Sequence, residues 1–175
     1  IISEARKYGD VNITLLNDKA VADYKRLPYL RWDKWKIILE NIIGVKDSSY
    51  NLYENLKIKN FLIFPGSEAK LLKGLEKGSS GVISAVTNST HFLARKVFDD
   101  FENKIPQTKN DQLIGVRETF DGYNLISALH SFHSIKDENY KNILPPLTLL
   151  SEQKLKELIK KLNKLKFISE KNLAA

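Results

Sequence analysis

Lys46 closes the apolar part of the run Asn41-Ile42-Ile43-Gly44-Val45-Lys46-Asp47-Ser48-Ser49. Residues 42–45 read as a short strand with no polar alternation, the pattern of a strand covered on both faces. The carboxyl end of a strand in a parallel α/β sheet is where ligands bind. At the rim of an apolar interior, burial disfavours the charged ammonium and lowers its pKa. A neutral amine attacks a carbonyl carbon and forms a Schiff base. The competing reading of the same residue is a solvated lysine in a βα loop.

Other chemistries find less support. His91, His130 and His133 are the only histidines, and none is spaced with acids as a metal site. They read as structural or surface residues, so no metal is expected. The chain has no cysteine, which excludes disulfides, thiolate metal sites and a cysteine nucleophile. No glycine loop of the P-loop or dinucleotide type is present, and no cofactor is expected.

A chain of 175 residues is long enough for one domain with a real core. Hydrophobic residues at 42% and charged residues at 28% describe a globular composition. Lys and Arg number 28 against 21 Asp and Glu, a formal net charge of +7. Such an excess can serve nucleic acid, but the lysines are scattered along polar helix faces and no arginine cluster appears. No nucleic-acid partner is expected. No apolar run approaches a membrane span, so no membrane role is expected, and the absence of cysteine fits a cytoplasmic protein. The first residue is Ile and no Met occurs. Ile1 falls in a helix-like stretch ending at Gly9, as if the chain were entered partway through a fold.

These residues need elements to position them. Strands are predicted at Val11–Leu16, Ile42–Val45, Phe61–Phe64 and Gly81–Val86. Lys19–Pro28 reads as irregular. Trp32, Trp35, Ile38 and Leu39 recur at helical spacing, and Tyr50–Leu56 reads as a short helix. Ser67 is placed to cap a helix that runs to Lys77 and ends at Gly78. Thr90 is placed to cap another, with Ala94, Val97, Phe98 and Phe101 facing inward. Strands alternating with helices point to βαβ units and a parallel sheet. Beyond Pro106 the pattern is helical: Gln107–Val116, Tyr123–His133, and a last helix capped by Ser151. That helix aligns Leu155, Leu158, Ile159, Leu162 and Leu165 on one face. Its lysines lie largely opposite, which suits a docked helix with a solvated basic face better than a membrane-surface helix.

Three segments in fixed order resemble one family: Gly44-Val45-Lys46-Asp47-Ser48-Ser49, Phe64-Pro65-Gly66-Ser67-Glu68, and Gly81-Val82-Ile83-Ser84-Ala85-Val86-Thr87-Asn88. Leu144-Pro145-Pro146-Leu147 completes the set. Together they are similar to the second half of the dihydrodipicolinate synthase and N-acetylneuraminate lyase family of class I aldolases. The resemblance implies an α/β fold, the C-terminal half of a (β/α)8 TIM barrel carrying strands five to eight, followed by C-terminal helices. Residues 1–104 would be that half barrel and residues 105–175 the helical extension. A full barrel takes about 250 residues, so the first four strands would lie outside this sequence. Four strands alone would leave two open sheet edges.

The resemblance also implies roles. Lys46 matches the Schiff-base lysine, which attacks the keto carbon of a 2-oxo acid such as pyruvate. The protonated imine is then an electron sink for forming or breaking the adjacent carbon–carbon bond. Gly66, Ser67 and Glu68 match the loop that contacts the distal part of the substrate in sugar-acid lyases. Ile83 matches the position whose backbone carbonyl lies near the lysine. Ser84 and Asn88 share that strand end and are expected to line the pocket. The partners implied are a small-molecule 2-oxo acid and further copies of the chain, as a dimer or tetramer. The bland alternatives are a turn glycine at Gly66, a first-turn acid at Glu68 and a helix-starting Asn88.

One departure matters. Family members end strand five with Tyr-Asn-x-Pro, and that tyrosine shuttles the proton. Here the stretch is Leu15-Leu16-Asn17-Asp18, with Leu16 in the tyrosine's place. Tyr24 stands eight residues on. The arginine that many synthases carry after the tyrosine has no clear counterpart among Lys19, Lys25 and Arg26. The wording Phe64-Pro65-Gly66-Ser67-Glu68 resembles a branch whose substrates are poorly characterised. A catalytically impaired member that binds a small acid or a protein partner is the alternative reading.

Overall fold

Apolar strands paired in parallel form the sheet. The computed structural model describes residues 13–17, 42–48, 52–55 and 59–168. The expected features at Ile1–Gly9, Lys19–Pro28 (with Lys19, Tyr24, Lys25 and Arg26) and Trp32–Leu39 lie outside these residues. The chain divides into two compact units, Ile1–Gly66 with Lys70–Ile83, and Ser67–Ala69 with Ser84–Ala175.

In the first unit, β1 (Ile13–Asn17), β2 (Ile42–Asp47) and β3 (Leu62–Pro65) pair in parallel in the order β1-β2-β3. The register sets Leu16 beside Lys46 on one side and Phe64 beside Lys46 on the other. Val45 and Ile63 are buried with Tyr53, from the short helix α1 (Leu52–Asn55), and Phe61 packs against them. Each such aliphatic side chain contributes roughly 1.5–3 kcal/mol on burial. Gly44 is required in β2: a Cβ there would stand 2.6 Å from the carbonyl oxygen of Leu62. A 3-10 turn (Glu68–Lys70) leads into α2 (Leu71–Glu76), which buries Leu71 and Leu75. The helical stretch thus opens as 3-10, and no side chain caps α2. Gly78 ends it at φ +91, a left-handed conformation that favours glycine.

The expected fourth strand at Gly81–Val86 is not a strand. The Ser80 N–H donates to the Ile63 carbonyl at 2.8 Å, and the Ile83 N–H donates to the Pro65 carbonyl at 3.1 Å. Three residue steps on one side therefore face two on the other, so a parallel ladder cannot continue. Gly81, at φ +142, absorbs the extra residue.

The second unit is helical. α3 (Thr87–Glu102), α4 (Asn110–Asp121), α5 (Leu125–His133) and α6 (Glu152–Lys164) pack as α3 on α4, α4 on α5, and both α4 and α5 on α6. Leu93, Val97, Leu113, Val116, Phe120, Leu158 and Leu162 form its apolar interior. Phe120 meets Phe132 edge to face, with centroids 5.7 Å apart. Gly115 lets α6 approach closely, since a Cβ there would sit 3.1 Å from Leu165. Asn124 caps α5 and Ser151 caps α6, the latter as the sequence implies. Gln112 donates to the carbonyls of Leu165 and Lys166 and so satisfies the far end of α6. The lysines of α6 are exposed, as expected for a solvated face.

Two helix starts differ from expectation. α3 begins at Thr87, not Thr90. The Asn88 amide donates to the Ala85 carbonyl at 2.8 Å and Thr87 donates to the Ser84 carbonyl, so this first turn is tied down early. Thr90 is turned inward and fully buried. α4 begins at Asn110, not Gln107, because the Gln107 amide donates to the Val97 carbonyl at 3.1 Å and is held in the loop.

Candidate active site

Lys46 stands one residue before the end of β2, half-buried. Its Nζ donates to Ser48 Oγ at 2.7 Å. Side chains two apart on an extended backbone share a face, so the strand itself brings this hydroxyl to the amine. The Gly66 N–H donates to the Asp47 carbonyl at 2.7 Å. A Cβ on Gly66 would lie 2.7 Å from Ser48 Oγ and 3.0 Å from the Asp47 carbonyl oxygen. The glycine therefore lets the loop after β3 press against the residue that holds the amine. Ile83, bonded to Pro65, adds a backbone segment along β3, and the residue is 42% exposed. The first unit thus gathers Lys46, Gly66 and Ile83. Tyr53 belongs to the apolar cluster instead. Burial pushes its hydroxyl above the ordinary value, as do the nearby Glu54 and Asp47, while Lys73 opposes the rise.

The second unit gathers Glu68 and Ser84. Ser67 stands half-buried just before the 3-10 turn. The Glu68 side chain is 0% exposed. Its Oε2 accepts from Ser84 Oγ at 2.7 Å and from Arg117 Nη1 at 3.0 Å, and its Oε1 accepts from Thr90 Oγ1 at 3.5 Å. Arg117 Nη1 also donates to Ser84 Oγ at 2.8 Å. Arg117 Nε donates to both carboxylate oxygens of Asp121 at 2.9 Å. Burial works against the Arg117 charge, but Asp121 and Glu68 outweigh it and hold its pKa above the ordinary value. Asn88 is exposed in the first turn of α3.

Sequence reasoning assigned no role to Ser48 or Arg117. The signal for Ser48 was present, because it follows Lys46 by one strand period. Arg117 gave none: with Asp121 four residues on, it looks like an ordinary surface pair on a helix.

Two of the histidines are engaged in hydrogen bonds. His133 Nε2 lies 2.9 Å from Ser89 Oγ, and His130 Nδ1 lies 2.9 Å from the Tyr140 carbonyl. Among the described residues, no three His, Asp or Glu side chains come together as a metal site. No helix among them is long and apolar enough to cross a membrane.

The model of the dihydrodipicolinate synthetase family matches residues 36–165. No curated protein matches the chain. Solved structures do. A prophage protein of the dihydrodipicolinic acid synthase family from E. coli K12, in complex with pyruvate, superposes with a TM-score of 0.81 at 18% identity. The match covers 95% of this chain and 60% of that one. N-acetylneuraminate lyase from Fusobacterium nucleatum gives 0.69 at 17%, covering 94% and 61%. A monomeric dihydrodipicolinate synthase variant gives 0.70 at 16%, covering 95% and 59%. The chain therefore spans about 60% of the length of these structures.

Proposed function

The chain belongs to the dihydrodipicolinate synthetase family, and from that premise we propose that it is a class I lyase or synthase acting on pyruvate or another 2-oxo acid. Lys46 is the nucleophile. Its amine adds to the keto carbon, water leaves, and the protonated imine accepts the electron pair of the neighbouring carbon–carbon or carbon–hydrogen bond. The observation that carries this reading is the half-buried Lys46 at the carboxyl end of a parallel strand, its Nζ held by Ser48 beside Gly66. Gly66 gives close backbone approach. Ile83, in the same unit, lines the substrate beside it. The reaction needs no cofactor or metal. In this reading residues 1–104 correspond to the second half of a (β/α)8 barrel whose last strand, Gly81–Val86, is not formed here, and residues 105–175 to its extension. The protein works in the cytoplasm as a dimer or tetramer; one similar structure is a monomeric variant, so sedimentation decides that point.

Pyruvate alone tests the chemistry. In deuterated water the full-length protein is expected to exchange the pyruvate methyl protons, followed by proton NMR, because the imine opens to an enamine. Lys46→Arg is expected to abolish the exchange. No exchange by the unaltered protein refutes the reading.

A specific observation favours the impaired alternative. The residue beside Lys46 on β1 is Leu16, where the family carries its proton-shuttling tyrosine. Loss of a general acid/base costs about 10²- to 10⁴-fold. If that loss limits this protein, Leu16→Tyr raises the turnover of pyruvate with an aldehyde; if turnover does not rise, Leu16 is not the limit.

A further inference from the structure

The Lys46 Nζ donates to Ser48 Oγ at 2.7 Å, and that bond decides what the hydroxyl can do next. An ammonium has donors only, so the contact uses an oxygen lone pair and leaves the serine hydrogen unspent. Among the described residues, Ser48 Oγ has no second hydrogen-bond partner. Gly66 backs the hydroxyl, since a Cβ there would reach within 2.7 Å of Oγ. Ser48 is half-buried, so its hydrogen stays within reach of a bound molecule. The strand neighbours of Lys46 offer no substitute. Its register partners, Leu16 on β1 and Phe64 on β3, have no side-chain proton to exchange. All these residues lie in the first unit.

Imine formation moves protons between the same two atoms that exchange a bond. Counted from the ammonium, the nitrogen loses two protons and the keto oxygen gains two. The nitrogen–carbon bond forms, the carbon–oxygen bond breaks, water departs, and the positive charge stays on nitrogen. Direct passage from nitrogen to oxygen closes a cramped ring of nitrogen, carbon, oxygen and hydrogen. Passage through a hydroxyl widens that ring by one oxygen and one hydrogen. We propose that Ser48 is a catalytic residue that relays these protons: Oγ accepts a hydrogen from Nζ while its own hydrogen passes to the oxygen of the bound keto group. Each relay returns the hydroxyl to its starting state, ready for the second transfer. The inference rests on the function proposed above and names the group that moves its protons.

The test follows imine formation in time. Full-length protein is mixed with saturating pyruvate and quenched with borohydride at intervals, and the reduced adduct on the Lys46 peptide is quantified by mass spectrometry. Ser48→Ala is expected to slow the approach to the final adduct about 10²-fold, the low end for an acid/base group because water partly replaces a lost hydroxyl. The final extent of adduct and the denaturation midpoint are expected to match those of the unaltered protein. Ser48→Thr returns a hydroxyl and is expected to keep most of the rate. A serine that merely props the lysine lowers the final extent or the midpoint along with the rate, and that result overturns the inference. So does an unchanged rate in Ser48→Ala, or a Ser48→Thr variant as slow as Ser48→Ala. If Ser48→Ala does not fold, Ser48→Val against Ser48→Thr makes the same comparison between side chains that differ by the hydroxyl, and equal rates overturn the inference. The unaltered protein separates the two claims. An adduct on Lys46 whose rate ignores Ser48 sinks only the inference, whereas no adduct on Lys46 sinks the proposed function and this inference with it.

Discussion

The sheet unit and the helical unit hold their polar groups by different means. In the sheet, Lys46 is placed by backbone: the ladder sets it between Leu16 and Phe64, and a main-chain bond from Gly66 to Asp47 closes the adjoining loop. In the helical unit, Glu68 is placed by side chains that come from 16, 22 and 49 residues away in sequence. Backbone placement tolerates loss of a side chain but not added bulk, because glycines mark the close approaches. Side-chain placement tolerates neither a lost partner nor an unmatched charge, because Glu68 has no water to fall back on.

Substitutions can break this contrast in order of size. The largest effect falls on the proposed nucleophile. Lys46→Arg keeps a positive charge on β2 and is expected to lower turnover by roughly 10³-fold or more, with a nearly unchanged denaturation midpoint. A collapse of folding instead would make Lys46 a structural residue. Next is the buried pair. Arg117→Met leaves the Glu68 carboxylate buried without its cation and is expected to cost about 3–5 kcal/mol in urea unfolding, toward the lower end because Arg117 is 13% exposed. Adding Glu68→Gln is expected to restore part of that loss. If the single and double variants are equally unstable, the charge was not the problem.

Added bulk in the sheet comes third. Gly44→Ala drives a methyl into the Leu62 backbone and is expected to cost about 1–3 kcal/mol. Gly66→Ala is expected to cost less, since one of its close contacts, Ser48 Oγ, can swing away. The swing takes the hydroxyl from Lys46, so this variant is expected to slow pyruvate exchange more than it lowers stability. The smallest effect is one of pH. Burial, with some repulsion from His130, holds His133 below its ordinary value. The unfolded chain therefore takes up a proton at His133 before the folded chain does. Stability from this residue is full above the ordinary histidine value and is lost as pH falls through the depressed one. All three histidines lie at positions 91–133, outside the sheet unit. Unfolding followed from pH 7.5 to pH 5 is expected to weaken, and His133→Gln to flatten that trend.

The parts that sequence conveyed are those written in local pattern. The apolar run before Lys46 has no polar alternation, which marked it as a buried parallel strand. Ser151 before an amphipathic stretch marked the start of α6, and Gly78 the end of α2. The segment Gly81–Val86 misled because its composition suits a strand, while its failure to pair depends on a three-against-two spacing along β3 that no local pattern records. Thr90 misled in the opposite way: a residue type favoured at helix starts sits one turn inside α3, facing the buried carboxylate of Glu68. The Glu68–Arg117 pair was invisible for a simpler reason. Each partner has an ordinary local explanation, and only the fold of the helical unit joins them across 49 residues.

The central claim concerns one nitrogen atom. Full-length protein mixed with pyruvate and reduced with borohydride traps any imine as a stable secondary amine, which peptide mass mapping assigns to a residue. The account requires the adduct on Lys46 and its disappearance in Lys46→Arg. An adduct on another lysine, or a protein that turns pyruvate over with none trapped, contradicts it.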